Sequence, residues 1–312
     1  MIRKMELKDI EEIKEIDSLC FKIDTKRTTE GIRGYMQASN NSSIVYEIDD
    51  KVAGFNFIHI WGAFGWFGPL GVHPEYQGKG IGKALINETI RILKEEYKVS
   101  TIGLNTMPES QYNVGFYIGL DFTPLKLSLG LKKEITSLAV KRYVSSNKIN
   151  VNEIDIINEK NYLTIEENLK SLSNGICSNF DLTSELRFIR EEAFGTIFTL
   201  ETNEKIHGIV MCYTKAIRGV LSKNLQIKLA IIDNQIDYKE ALDVTMDFCT
   251  KYAQEINYEC ISIDCNTYNS EICNYLMVKH KFKIEKTQVM MLMGEVNPFE
   301  SEKVLLLTRL AG

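Results

Sequence analysis

Between residues 70 and 85 the sequence reads Leu70-Gly71-Val72-His73-Pro74-Glu75-Tyr76-Gln77-Gly78-Lys79-Gly80-Ile81-Gly82-Lys83-Ala84-Leu85, an apolar stretch that runs into a glycine-rich turn and then a helical pattern. Glycines let a backbone approach phosphate oxygens and aim successive N–H groups at them, and a helix N-terminus adds partial positive charge. Lys79 and Lys83 flank the turn and add full charges. Such a turn can hold a pyrophosphate. A dinucleotide fingerprint needs GxGxxG after the first strand, and a P-loop needs GxxxxGK[ST]. Neither spacing is present, and this turn follows the fourth or fifth strand of the chain rather than the first.

Gln77-Gly78-Lys79-Gly80-Ile81-Gly82, preceded by Val72-His73-Pro74, resembles the Q/R-x-x-G-x-G/A signature of the GCN5-related N-acetyltransferase (GNAT) superfamily. Asn113, Tyr117, Gly119 and Phe122 resemble that family's Asn…Tyr…Gly-Phe element, with Leu120-Asp121 inserted inside the usual Gly-Phe. The resemblance covers Met1 to about Lys133, a full domain of the family. It implies that the strand carrying Leu70, Gly71 and Val72 splays from its neighbour, with Leu70 and Val72 pairing their main chain with pantetheine. It also implies that Gln77, Gly78, Lys79, Gly80, Ile81 and Gly82, flanked by Lys83, cradle the pyrophosphate of acetyl-coenzyme A. Asn113 is then expected to face the pantetheine arm and Tyr117 the sulfur. Gly68-Pro69 suits a distorted strand, because proline cannot donate to a sheet ladder.

Attack of an amine on a thioester expels a thiolate whose thiol titrates near ~8.5, so a phenol beside the sulfur can donate a proton as the C–S bond breaks. Tyr117 is the residue expected in that role; the plain alternative is a core tyrosine on a short helix. A protonated acceptor amine, near ~10.4 if lysine-like, must lose a proton first. The strand Trp66–Gly71 offers no carboxylate for this, which leaves Glu109, His59 or a water held by main-chain carbonyls as candidates. His73 reads as a surface residue and Cys20 is too distant in sequence to be assumed a nucleophile. Trp61, Phe64, Trp66 and Phe67 read as core first, and as an apolar lining of the acceptor cleft second.

These residues need a scaffold. Ile10, Ile13, Ile16 and Cys20 mark a helix within Met5–Phe21, Ser43–Ile48 and Val52–Trp61 a hairpin, and Trp66–Val72 a strand. A helix from about Gly80 to Glu96, a strand Val99–Asn105, a short helix Tyr112–Gly119 and a strand Phe122–Leu131 complete the first half. A weaker copy follows, with a hairpin at Ile197–Leu200 and Ile206–Tyr213 and a strand Leu225–Ile232. A helix face from Ala241 to Ile256 and a strand Tyr258–Asp264 come next, with Phe282 falling where Phe122 fell. Where the copy needs its phosphate turn it reads Asp233-Asn234-Gln235-Ile236-Asp237, whose carboxylates would repel a pyrophosphate, and Met277 stands where Tyr117 stood.

The expected fold is therefore α/β (an α+β mixed sheet) in two tandem acetyltransferase-like domains, each a mostly antiparallel mixed sheet flanked by helices. Residues 1–144 would bind acetyl-coenzyme A and residues 151–312 would be a degenerate copy, joined near Ser145–Asn150. The 312 residues, 44% hydrophobic and 25% charged, suit a globular chain, and a net charge of −5 argues against nucleic acid or an anionic membrane as partner. The start lacks a secretory apolar run, so a cytoplasmic location is expected. Seven cysteines without a CxxC pair or zinc spacing predict no structural metal. The function expected is direct acetyl transfer from acetyl-coenzyme A to a small-molecule or peptide primary amine in a ternary complex, by a monomer or homodimer. The alternative is a non-catalytic acyl-coenzyme A-binding sensor or scaffold.

Overall fold

The computed structural model describes residues 1–22, 24–135, 148–219 and 223–311. In the first half β1 (Ile2–Lys4), α1 (Ile10–Phe21) and α2 (Thr29–Ala38) precede the meander β2 (Ile44–Ile48), β3 (Lys51–Trp61) and β4 (Phe64–Val72). Then come α3 (Ile81–Arg91), whose last turn widens into a π turn over Ile92–Glu96, and β5 (Thr101–Thr106), α4 (Gln111–Ile118) and β6 (Thr123–Glu134). The second half runs β7 (Asn150–Ile154), α5 (Glu159–Ile176), α6 (Thr183–Glu191), β8 (Gly195–Thr202), β9 (Lys205–Tyr213) and β10 (Asn224–Asp233). It ends with α7 (Tyr238–Glu255), β11 (Cys260–Asn266), α8 (Ser270–Val278), β12 (Lys283–Met293) and β13 (Val304–Leu307).

The expected hairpins, strands and helix faces are present in both halves; the helices bury one face, whereas β3 and β9 are buried on both. Four helices, α2, α5, α6 and α8, have no counterpart among the expected elements. One of them, α2, contains Gly31 and Gly34, which weaken a helical signal. Gly34 is required by packing: a Cβ there would lie 1.8 Å from the Phe188 ring carbon Cε2 of α6. Half of the expected joint near Ser145–Asn150, residues 145–147, lies outside the described residues, and Asn150 already opens β7.

Among the described residues the strands form one continuous sheet in the order β1-β2-β3-β4-β5-β12-β6-β11-β10-β9-β8-β7, with β13 paired to β10. The sheets of the two halves join through an exchange. Strand β12 lies between β5 and β6, and β6 lies between β12 and β11, so each half lends its last long strand to the other. The core follows this topology. Trp61, Phe64 and Trp66 pack with Phe180, Leu186, Phe188 and Met290 in a cluster that spans both halves.

Those tryptophans settle one expectation. Trp61 and Trp66 are fully buried, and their indole N–H groups donate to Glu185 Oε1 (3.3 Å) and to the Ala311 carbonyl (3.0 Å). Three members of the aromatic cluster are thus core, as buried tryptophans with satisfied N–H groups should be. Only Phe67 reaches a cavity.

Candidate active site

Strands β4 and β5 run parallel but pair only at Phe64–Trp66 with Thr101–Gly103. Beyond that point β4 stays with β3, through Leu70, Gly71 and Val72, while β5 stays with β12. The facing edges of Phe67–Val72 and Leu104–Thr106 part, and a cavity of about 1010 Å³ opens between them. A bulge at Gly68-Pro69 accompanies the parting, where two residues of β4 oppose one of β3.

The glycine turn forms the rim. Gly78 and Gly80 adopt φ of 76° and 81°, a left-handed region open to glycine and strained for other residues. Gly80 is the N-cap of α3, and the first main-chain bond into the helix is Ala84 N–H to the Gly80 carbonyl at 3.0 Å. The N–H groups of Ile81, Gly82 and Lys83 are therefore without helical partners, and all three residues line the cavity. Gln77 also lines it, with Nε2 donating to the Val72 carbonyl at 2.9 Å, which ties the turn to the end of β4.

The cavity brings together Leu70, Gly71, Val72, Gln77 and Gly78 with Gly80, Ile81, Gly82, Lys83, Asn113 and Tyr117. Two expected residues lie outside its wall. Lys79 stacks its ammonium 5.0 Å from the centre of the Tyr76 ring, and Glu109 is exposed on the β5–α4 loop. Tyr117 packs among Phe67, Phe116 and Phe122, and burial pushes its phenol up to about 12. It is a neutral proton donor at physiological pH. His59 is corrected as a candidate base: it is buried, absent from the cavity wall and 3.3 Å from the Gly68 carbonyl. Burial first, and the Lys228 charge second, push its imidazole down to about 3.

Several wall residues carried no signal in the sequence. Cys20 Sγ donates to the Val72 carbonyl at 3.0 Å, and burial raises its thiol, so it is not an activated nucleophile. From the second half come Arg218, Asn224, Gln226, Lys286, Gln288 and Arg309. Arg27 joins them because residues 26–28 pair with 217–219: Thr28 N–H donates to the Ile217 carbonyl and Gly219 N–H to Lys26, both at 2.9 Å. Such residues come from distant segments of the chain, so no local spacing marks them.

The turn of the second copy is built differently. Asp237 is the N-cap of α7 and its carboxylate accepts from Glu240 N–H at 2.8 Å, while Asp233 accepts from Gln235 N–H at 3.0 Å. Side chains of the turn itself thus take up donors that face the cavity in the first copy.

Residues 10–122 match the model of the acetyltransferase (GNAT) family. This segment is a GNAT domain. No curated protein matches the sequence. A putative acetyltransferase from Pyrococcus horikoshii superposes with a TM-score of 0.69 at 16% identity, over 97% of this chain and 92% of that one. A tandem GNAT protein of the clavulanic acid biosynthesis pathway gives 0.62 at 10% identity, over 94% and 98%. A GCN5-related N-acetyltransferase from Sphaerobacter thermophilus gives 0.62 at 10%, over 96% and 98%. At these identities the likeness is one of fold, and it extends through both halves. No described helix is long and apolar enough to cross a membrane.

Proposed function

We propose that this chain is an acetyl-coenzyme A-dependent N-acetyltransferase whose GNAT domain binds the donor and whose second half walls the acceptor side. The supporting observation is the single cavity that joins the free N–H groups at the start of α3, the unpaired edges of β4 and β5, and the Tyr117 phenol. Gln77 to Lys83 would hold the pyrophosphate, and Leu70, Val72 and Asn113 the pantetheine arm. The donor supplies an activated thioester, and no covalent enzyme intermediate is required. Tyr117, neutral and half enclosed by aromatic rings, donates the proton that the leaving thiolate needs. Holding both substrates in one cavity contributes about 7–11 kcal/mol through proximity.

Neither a carboxylate nor an imidazole lines the cavity among the described residues. The acceptor amine therefore loses its proton through water rather than to a fixed base, and kcat/KM rises with pH toward the pKa of the amine. The division into a binding part at 1–144 and a non-binding part at 151–312 belongs to the same proposal, with β12 completing the binding half. Calorimetry with acetyl-coenzyme A should give one site per chain, and a thiol-release assay over an amine panel should give turnover. Absence of binding would refute the proposal, and two sites would refute the assignment of the second half.

A further inference from the structure

The wall of the cavity beyond β5 carries a strongly biased charge. Lys286 sits on β12, which lies across β5 from β4, at a bulge opposite Gly130. Arg309 follows β13, and its Nε lies 3.6 Å from Asp264 Oδ2. Arg27 and Arg218 share the buried carboxylate of Asp17, each with a nitrogen 2.8 Å from Oδ1. Four cations thus adjoin two carboxylates, and neither carboxylate lines the cavity. In a chain of net charge −5 this is a concentrated local excess. The ammonium of Lys286 has no ion-pair or hydrogen-bond partner among the described residues.

A structural role explains part of this arrangement. Asp17 clamps Arg27 to Arg218 and so ties the two halves together. It does not explain Lys286, whose ammonium feels three guanidinium groups and Asp264 without forming an ion pair among the described residues. Desolvation in the cavity, together with the charges of Arg309, Arg218 and Arg27 and against the pull of Asp264, lowers its ammonium to about 8. An incoming anion would relieve that repulsion. A polyamine or a polycationic amino-sugar would add to it and would find no carboxylate in the wall.

We propose that the acceptor is a small amine whose other end carries a carboxylate or phosphate, and that Lys286, Arg309 and Arg218 hold that anion while the amine faces the gap between β4 and β5. The inference rests on the acyl-transfer reading of the same cavity. The spacing is set by β12. Lys286 stands four residues before Met290, the partner of Asn105, a rise of about 13 Å at ~3.3 Å per residue. The amine and the anion are therefore separated by several bonds, as in an ω-amino acid or an acidic dipeptide.

The test offers amines in matched pairs to the full chain with acetyl-coenzyme A and reads thiol release. The pairs are 6-aminohexanoate with its carboxamide, 6-aminohexyl phosphate with 6-aminohexanol, and Gly-Glu with its diamide, with spermidine as the cationic control. The charged member is expected to exceed its neutral partner by about 10-fold or more in kcat/KM, the usual value of one hydrogen bond to a charged group. Comparison of the first two pairs separates carboxylate from phosphate. Lys286→Gln should abolish the preference through KM with kcat little changed, and Lys286→Arg should retain it. Better turnover of spermidine, or an unchanged preference in Lys286→Gln, would overturn the proposal. Calorimetry with glutarate decides independently of turnover. Glutarate bound by the wild type and lost in Lys286→Gln keeps the anion site even if acetyl-coenzyme A fails to bind and the transferase reading falls. No glutarate binding overturns the anion site even if acetyl transfer is found.

Discussion

Gly82→Val separates binding of the donor from stability of the fold. Gly82 lies in the first turn of α3 with helical backbone, and a Cβ there would touch only Val72 Cγ2, at 3.8 Å. The substitution therefore creates no clash within the protein. Valine is a slightly better helix former than glycine, so stability should change by less than about 0.5 kcal/mol. The isopropyl group would project over the free N–H groups of the first turn, in the space a pyrophosphate must enter. Loss of one hydrogen bond from such a donor to a charged oxygen costs about 1.5–3 kcal/mol, or roughly 10- to 100-fold in Kd. Titration calorimetry with acetyl-coenzyme A and a thermal melt would measure the two effects side by side. A wild-type Kd with a wild-type melt would refute the assignment of this turn as the phosphate site. Gly80→Val is a poorer probe, since φ of 81° adds backbone strain of about 1–3 kcal/mol that confounds binding with folding.

Tyr117→Phe should lower kcat by about 10²- to 10⁴-fold and leave the Kd of acetyl-coenzyme A nearly unchanged, and a full-rate variant would reduce Tyr117 to packing. Glutarate affinity should be constant below the Lys286 pKa of about 8 and fall above it, as the lowered ammonium loses its proton beside Arg309, Arg218, Arg27 and Asp264. Only the charged form attracts the anion, so Kd should rise about 10-fold at one pH unit above that pKa, and a flat profile would contradict the anion site. Asp17→Asn leaves Arg27 buried without its counter-charge and should cost about 3–5 kcal/mol in urea unfolding, with an unchanged midpoint as the opposing result. Truncation after Ser145 removes β12 from between β5 and β6, so fragment 1–145 should aggregate or dimerise. A monomeric fragment with full acetyl-coenzyme A affinity would show that the exchange is dispensable.

The sequence determined the local parts of this protein. The turn from Gln77 to Gly82 was legible because glycine at positive φ and a helix start are properties of consecutive residues. Asn113 and Tyr117 were legible because one short helix carries both. The strand-to-helix turns of the two copies could be compared directly, and the Asp237 carboxylate caps α7 where Gly80 opens α3. The helix α2 was not legible because Gly34 answers to Phe188 of α6 and Gly31 to Thr28 and Ile217, contacts that for Phe188 and Ile217 join distant segments. Only the tertiary structure decided that β6 and β12 change places, since two strands of similar pattern satisfy either sheet equally and local alternation does not choose the partner. That exchange carries Lys286 and Gln288 into the wall of a cavity begun by β4 and β5. The charge of that wall was therefore not readable from any motif. It is assembled from Arg27, Arg218, Lys286 and Arg309, which are far apart in the chain, and electrostatic potential depends on distance in space and not on order in sequence.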